Sequence, residues 1–264
     1  MIYYFSGTGN SFAAAKTLAQ GLGEPLADIA IAVAEQNYTC TLKKGEKLGI
    51  VFPVYLSMPP KIVTDFIKKL KVTFPDEPYI FAVATCGGSA GKSIDILETA
   101  LEHNGLSLDS GFSLVMPDNC IPYFEPDSPE VQENKLKKAE ETLHLILRAI
   151  RLERRDFFRV KRGKYSNIVP KAVNSLLCGF VMKTKPFYVT EDCISCGLCE
   201  KICNSGCITM AAGRPVWMEE HCSLCLACLN RCPKAAIQYG KKTKKRQRYV
   251  HSCYQNNNEG RIRP

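Results

Sequence analysis

Nowhere in the 264 residues does an apolar run reach the roughly 18 to 20 residues that a membrane-spanning helix needs. No membrane span is therefore expected. The N-terminus, Met1-Ile2-Tyr3-Tyr4-Phe5, lacks the basic n-region and small-residue cleavage site of a secretory signal, so a cytoplasmic protein is expected. Histidine is scarce, with four copies, and Trp217 is the one tryptophan. No nucleophile–base pair or second nucleotide fold is evident, so no catalytic residue is assigned. His103 and His144 fall in helix-like stretches and read as surface residues. With 45% hydrophobic and 23% charged residues, disorder is excluded for most of the chain.

Cysteine, by contrast, is abundant: 14 residues, with a regular set between Cys193 and Cys232. Cytosolic thiols stay reduced, and clustered ones are more often metal ligands than disulfides. The run Cys193-x2-Cys196-x2-Cys199-x3-Cys203 recurs as Cys222-x2-Cys225-x2-Cys228-x3-Cys232, each cysteine displaced by 29 residues. Cys207-Ile208 and Ala236-Ile237 occupy equivalent positions, so the repeat extends past the ligands. Closely spaced thiolates on a tight loop can grip three corners of one iron–sulfur cubane. Paired zinc sites use two CxxC knuckles and fit these nested runs poorly. Cys207 aligns with Ala236 and reads as a packing residue.

These residues resemble the bacterial two-cluster ferredoxin over about fifty positions. The resemblance implies two [4Fe–4S] clusters with exchanged fourth ligands. Cys193, Cys196, Cys199 and Cys232 would hold one, and Cys222, Cys225, Cys228 and Cys203 the other. The family's proline after the fourth cysteine is present as Pro233 but replaced by Asn204 in the first copy, where a looser turn is expected. His221 precedes Cys222 and reads equally as a donor to sulfur or a surface residue.

Residues 1–155 alternate strand and helix, which implies a parallel sheet covered on both faces. Strands are expected at Ile2–Phe5, Pro25–Ile31, Leu48–Val54, Tyr79–Thr85 and Phe112–Met116. Helices are expected at Phe12–Leu22, Pro60–Leu70, Ile94–Leu101 and from Ser128-Pro129 to about Arg155. Residues 156–186 read as a basic connector, amphipathic over Ile168–Val181. Residues 187–240 form the cysteine-rich module and 241–264 a polar, mobile tail. That tail holds eight Lys or Arg against Glu259 alone. A basic tail can signal nucleic acid, but a solvated tail is its commoner meaning, and steering of an acidic redox partner is a third reading.

Ser6-Gly7-Thr8-Gly9-Asn10-Ser11 lies between a strand and a helix N-terminus, where backbone N–H groups and the helix dipole favour an anion. The hydroxyls of Ser6, Thr8 and Ser11 and the Asn10 amide suit a terminal monophosphate. A dinucleotide fingerprint would pair Gly7-x-Gly9 with Asp28, but Phe12 stands at its third glycine. The strand, loop and helix resemble flavodoxin over about 150 residues. This implies a doubly wound α/β domain, a five-stranded parallel sheet of order 2-1-3-4-5, binding FMN. Two loops would then flank the flavin ring: Val54, Tyr55, Leu56, Ser57 and Met58 after one strand, and Thr85, Cys86, Gly87 and Gly88 after the next. Tyr55 would stack on the ring, and Asp118 and Asn119 would line the pocket. Residues 54–59 contain no glycine, which makes positive φ costly there.

A flavodoxin-like domain followed by a small α+β two-cluster ferredoxin-like domain resembles the EFR1 family of fusion proteins over nearly the whole chain. The resemblance implies electron transfer between a low-potential donor, the clusters and FMN, with a ferredoxin or reductase as redox partner. Two other classes stay open. A flavin-dependent reductase of a small organic substrate would show an open apolar pocket at Leu56, Met58 and Tyr123. A redox-sensing or binding protein would use the basic tail.

Overall fold

The structure, a computed structural model, describes residues 1–163 and 183–255. These divide into two compact units. Residues 1–6, 10–116 and 130–163 form the first, and 7–9, 117–129 and 183–255 the second.

In the first unit the apolar runs become strands β1 (Ile2–Tyr4), β2 (Leu26–Asp28), β3 (Thr39–Thr41), β4 (Leu48–Pro53), β5 (Lys71–Thr73), β6 (Ile80–Cys86), β7 (Ser110–Val115) and β8 (Phe157–Arg159). Helices α1 (Asn10–Leu22), α2 (Ile29–Ala34), α3 (Lys61–Lys69), α4 (Ser93–Glu102) and α5 (Pro129–Arg151) connect or follow them. The main sheet is parallel throughout, in the order β2-β1-β4-β6-β7-β8. Numbering only its members gives 2-1-3-4-5 with a sixth strand at the edge, a flavodoxin-like doubly wound order. Strand β6 is buried at every position and β4 at all but Pro53, as expected of a sheet covered on both faces.

Phe5, Phe52, Phe66, Phe81 and Phe112 are among the fully buried side chains of this core. Gly49 pairs with Phe81 across β4 and β6, and a Cβ on it would fall 2.3 Å from Phe81 Cζ, so the ring fills the glycine's space. Phe81→Ala is expected to destabilise this unit by about 3–5 kcal/mol through the cavity it leaves. Urea denaturation followed by circular dichroism checks this, and a change below about 1 kcal/mol would contradict the packing.

The sheet corrects the sequence reading in strand number. The sixth strand, β8, falls in the stretch read as connector, because three residues among arginines give no periodic signal. It forms because Phe157 packs edge-on to Phe112 with centroids 6.0 Å apart, while Phe158 fills the space over Gly111. The guanidinium carbons of Arg154 and Arg159 lie 5.3 and 5.2 Å from the Phe157 ring centroid, and charge on an edge strand discourages further pairing. β3 and β5 form a separate two-stranded parallel sheet, also unforeseen.

The second unit contains β9 (Phe187–Val189), α6 (Leu198–Lys201), β10 (Ile208–Ala211), β11 (Arg214–Trp217), α7 (Ala227–Arg231), β12 (Ile237–Tyr239), a 3-10 turn (Thr243–Lys245) and α8 (Ser252–Gln255). β9 pairs antiparallel with β12, and β10 with β11. The core stacks Phe187 on Trp217 at 5.0 Å and sets Tyr239 edge-on to Phe187 at 4.7 Å. Around them lie Cys203, Cys207, Cys228, Leu229 and Ile237, with Ile121 contributed by the loop 117–129.

Residues 241–255 are ordered rather than a mobile tail. Arg246 donates from Nη1 to the Ile121 carbonyl (2.6 Å) and pairs through Nε with Glu125 (2.9 Å). Tyr249 and Tyr254 are buried, the latter over the Arg231 guanidinium at 4.5 Å. Residues 164–182, with the whole of the amphipathic stretch Ile168–Val181, and residues 256–264 lie outside the described residues. Among the described residues no helix is long and apolar enough to cross a membrane.

Candidate cluster and cofactor sites

The 29-residue repeat of the cysteines is also a repeat of backbone conformation. Left-handed φ occurs at Ser195 and Leu224 (55° and 47°), Gly197 and Leu226 (71° and 57°), and Gly206 and Ala235 (64° and 47°). Each pair is 29 residues apart. Four of the six are not glycine, and left-handed backbone costs such residues about 1–2 kcal/mol each. That strain has a purpose, because such turns aim backbone N–H groups into a concavity that suits anionic sulfur. Such bonds include Leu224 N–H to Cys222 Sγ and Ala236 N–H to Cys232 Sγ, both 3.3 Å.

Cys193, Cys196, Cys199 and Cys232 line one cavity, together with Cys228 and apolar Ile202, Met210 and Ile237. Burial pushes the Cys199 thiol up to about 11, with Cys196 and Cys232 adding to the shift. The other set is deeper: Cys203 and Cys228 are buried, Cys222 and Cys225 half-buried. Burial also raises Cys225 and Cys228, and Cys203 acts on both. Buried thiols of this kind need a metal to exist as thiolates. Among the described residues no three His, Cys, Asp or Glu converge on a single-ion site. A cubane takes one thiolate at each iron corner, so its ligands surround a volume, and the donor set fits that requirement.

Asn204 does not loosen the first copy's turn. Gly206 N–H donates to the Cys203 carbonyl at 3.1 Å, as Ala235 N–H does to Cys232 at 2.9 Å. The buried Asn204 side chain hydrogen-bonds Cys225 instead. Cys207 is buried, its sulfur 3.7 Å from that of Cys203. His221, His103 and His144 are exposed.

In the first unit, Ser11 Oγ meets Thr85 Oγ1 at 2.7 Å, and both are buried. Tyr55 and Met58 exchange two backbone hydrogen bonds (2.9 and 3.0 Å) around Leu56 and Ser57. Both central residues have positive φ, 49° and 65°, the geometry of a type I′ turn. Such a turn normally takes glycine or asparagine, so positive φ occurs within residues 54–59 despite the cost expected there. Val54 N–H donates to the Thr85 carbonyl at 2.9 Å, joining this turn to the strand that leads to Cys86, Gly87 and Gly88. Lys135 Nζ holds the Gly87 carbonyl at 2.9 Å, while Cys86 is buried and Gly88 exposed. Asp28 is an N-cap, its Oδ1 accepting from Ala30 N–H at 2.8 Å, which removes the acid a dinucleotide site would need.

Loop 7–9 and loop 117–129 belong to the second unit. Asn119 Nδ2 donates to Thr8 Oγ1 at 2.6 Å, leaving the Thr8 hydroxyl proton free to point elsewhere. Asp118 is spent on its own turn, its Oδ1 accepting from Cys120 N–H at 2.7 Å. Burial, with Asp118 nearby, pushes the Cys120 thiol up to about 12. Tyr123 is taken up by Tyr239, edge-on at 6.3 Å. Gly7 lies against the cluster loop, since a Cβ there would fall 2.1 Å from the Cys225 carbonyl oxygen.

The segment ending the described residues was missed as a site element. His251 N–H donates to the Thr8 carbonyl at 2.8 Å, and the His251 ring Nδ1 lies 3.1 Å from Cys253 Sγ. Burial holds this imidazole below the ordinary value of 6.5. The undocked segment therefore binds more protons than the docked one as pH falls through about 6.5, so docking weakens on acidification. Hydrogen exchange at the Tyr249 and Tyr254 amides, corrected for intrinsic rates, is expected to lose protection from about pH 7 to 5. Protection that does not change over this range, or a His251→Phe chain showing the same loss, would contradict it.

Residues 182–249 match the family described as the 4Fe-4S dicluster domain. The chain thus joins a segment similar to the 4Fe–4S dicluster domain to a doubly wound, flavodoxin-like α/β domain. No curated protein matches it. Among solved structures it is similar to a putative flavoprotein from Bacteroides uniformis (18% identity, 44% of this chain, 88% of that one, TM-score 0.31). A short-chain flavodoxin associated with a PDU bacterial microcompartment gives 14%, 55%, 96% and 0.31. The rubredoxin oxygen:oxidoreductase of Desulfovibrio gigas gives 15%, 58%, 36% and 0.34. The fold assignment rests on this chain's own strand order.

Proposed function

We propose that the protein transfers single electrons between a low-potential donor, two [4Fe–4S] clusters and an FMN, as a fusion protein of the EFR1 type. The observation that carries this reading is the duplicated left-handed backbone that wraps two cysteine sets. Cys193, Cys196, Cys199 and Cys232 surround the cavity and would hold one cluster, and Cys222, Cys225, Cys228 and Cys203 the other. Bound clusters supply one-electron steps, and a flavin exchanges one electron or two.

For FMN, the chain's own residues supply a phosphate seat at Ser6, Gly7, Thr8, Gly9, Asn10 and Ser11, at the N-terminus of the 13-residue α1. Asn119 orients the Thr8 hydroxyl as a donor. The ring would lie by Tyr55, Leu56, Ser57 and Met58 and by Thr85, Cys86, Gly87 and Gly88. The strained turn at Leu56 and Ser57 supports this, since such outliers gather at ligand clamps. Domain limits near residues 155 and 187–240 belong to the same proposal. The partner is a redox protein with an acidic face, steered by the basic stretches around 148–162 and 241–248.

Anaerobic reductive titration tests the relay. The chain is expected to take up about four electron equivalents, one per cluster and two at the flavin. An uptake of about two, with no flavin bleaching, would reduce the proposal to a plain ferredoxin.

A further inference from the structure

Arg248 carries the strongest unexplained feature of the molecule. Its Nη2 spends its donors on neutral acceptors: the Ile237 carbonyl at 3.0 Å, the Gln238 side-chain oxygen at 3.0 Å and the Ala235 carbonyl at 3.5 Å. Its Nε–H and Nη1–H are buried and have no hydrogen-bond partner among the described residues. Burying a guanidinium on neutral acceptors alone is expensive, and buried unmet donors call for an anion.

The position says which anion. Ala235 and Ile237, whose carbonyls Arg248 holds, flank Ala236, whose own N–H donates to Cys232 Sγ at 3.3 Å. Burial holds the guanidinium below its ordinary range, and Cys232 is the group whose charge opposes that shift. Cys232 lines the cavity with Cys193, Cys196 and Cys199. A [4Fe–4S] cluster on four thiolates is net negative and becomes more so on reduction. Resting on the cluster reading above, we propose that Arg248 turns its unmet Nε and Nη1 donors to the sulfur of the cluster that Cys232 would hold and makes this cluster the higher-potential one of the pair.

Two effects act with the same sign. A cation and charge-assisted hydrogen bonds at the sulfur stabilise the reduced, more negative state and raise the potential. Burial works against that state, and the other set is the more buried: Cys203 and Cys228 are 7% and 8% exposed, whereas Cys196 is exposed. There the visible side-chain donor from the first repeat is the neutral amide of Asn204, on Cys225. Arg248 itself comes from the segment read in sequence as a solvated tail, 16 residues past Cys232.

The test is a redox titration of the full chain, followed by electron paramagnetic resonance, with iron and sulfide counted in each sample. The wild-type chain is expected to show two midpoints. Arg248→Gln is expected to lower the upper one and leave the lower one in place. Arg248→Lys, which keeps the charge but not the planar fork, is expected to lower it less. An iron-replete Arg248→Gln chain with both midpoints unchanged, or with both shifted equally, overturns the inference. If Arg248→Gln fails to hold iron, the Lys variant decides: a lowered upper midpoint supports the inference and an unchanged one overturns it. A wild-type chain holding one cluster or none overturns the cluster reading instead.

Discussion

Replacing Cys203 and Cys222 together by alanine is expected to leave about four of about eight irons per chain, whereas replacing Cys203 and Cys193 together leaves almost none. The first pair belongs to one cluster if the fourth ligands are exchanged between the repeats, and the second pair then disables both. With unexchanged ligands the two results would trade places. The geometry favours exchange. The cavity lined by Cys193, Cys196 and Cys199 also takes in Cys232, with Cys228 beside it, and Cys203 is not among its lining residues.

The second large effect is on the flavin. Gly9→Val is expected to weaken FMN binding by about 100-fold or more while leaving the iron content unchanged. Gly9 has φ of 105°, and a Cβ there would fall 2.8 Å from the Cβ of His251. The strain of that backbone in a β-branched residue costs about 1–3 kcal/mol, and the clash with the docked His251 adds to it. Since about 2.7 kcal/mol is a factor of 100 in affinity, the loop has no reserve to absorb both. Calorimetric titration of the flavin-stripped chain with FMN measures the loss. Wild-type affinity in the variant would mean that the loop does not seat the phosphate.

The two predictions draw on features that were legible to different degrees. The proposed cluster ligands sit within a few residues of one another, so their spacing alone suggests the chemistry. The central strands were equally plain, because continuous apolar runs such as Leu48–Pro53 and Ile80–Cys86 have few other fates. Strand β8 was not, since Phe157 and Phe158 acquire meaning only from Phe112 and Gly111, more than forty residues earlier. The same holds for residues 241–255. Their basic composition suggests solvent, yet Arg246 bonds to Ile121 and Glu125, and His251 to Thr8, across more than a hundred residues.

The turn at Leu56 and Ser57 was hidden for another reason. Propensity argues against positive φ without glycine, and the paired bonds between Tyr55 and Met58 override it. Asn204 likewise looked like a defect in a proline pattern, whereas the turn is closed by the Gly206 N–H and needs no proline. In each case the missing information was tertiary: which distant group meets the residue once the chain has folded.

The central claim is that one chain holds two [4Fe–4S] clusters and one flavin. Anaerobic purification followed by iron, acid-labile sulfide and flavin analysis tests it most directly. About eight irons, about eight sulfides and one FMN per chain is the result expected. Zinc in place of iron, or a chain with full clusters and no affinity for flavin, would contradict it.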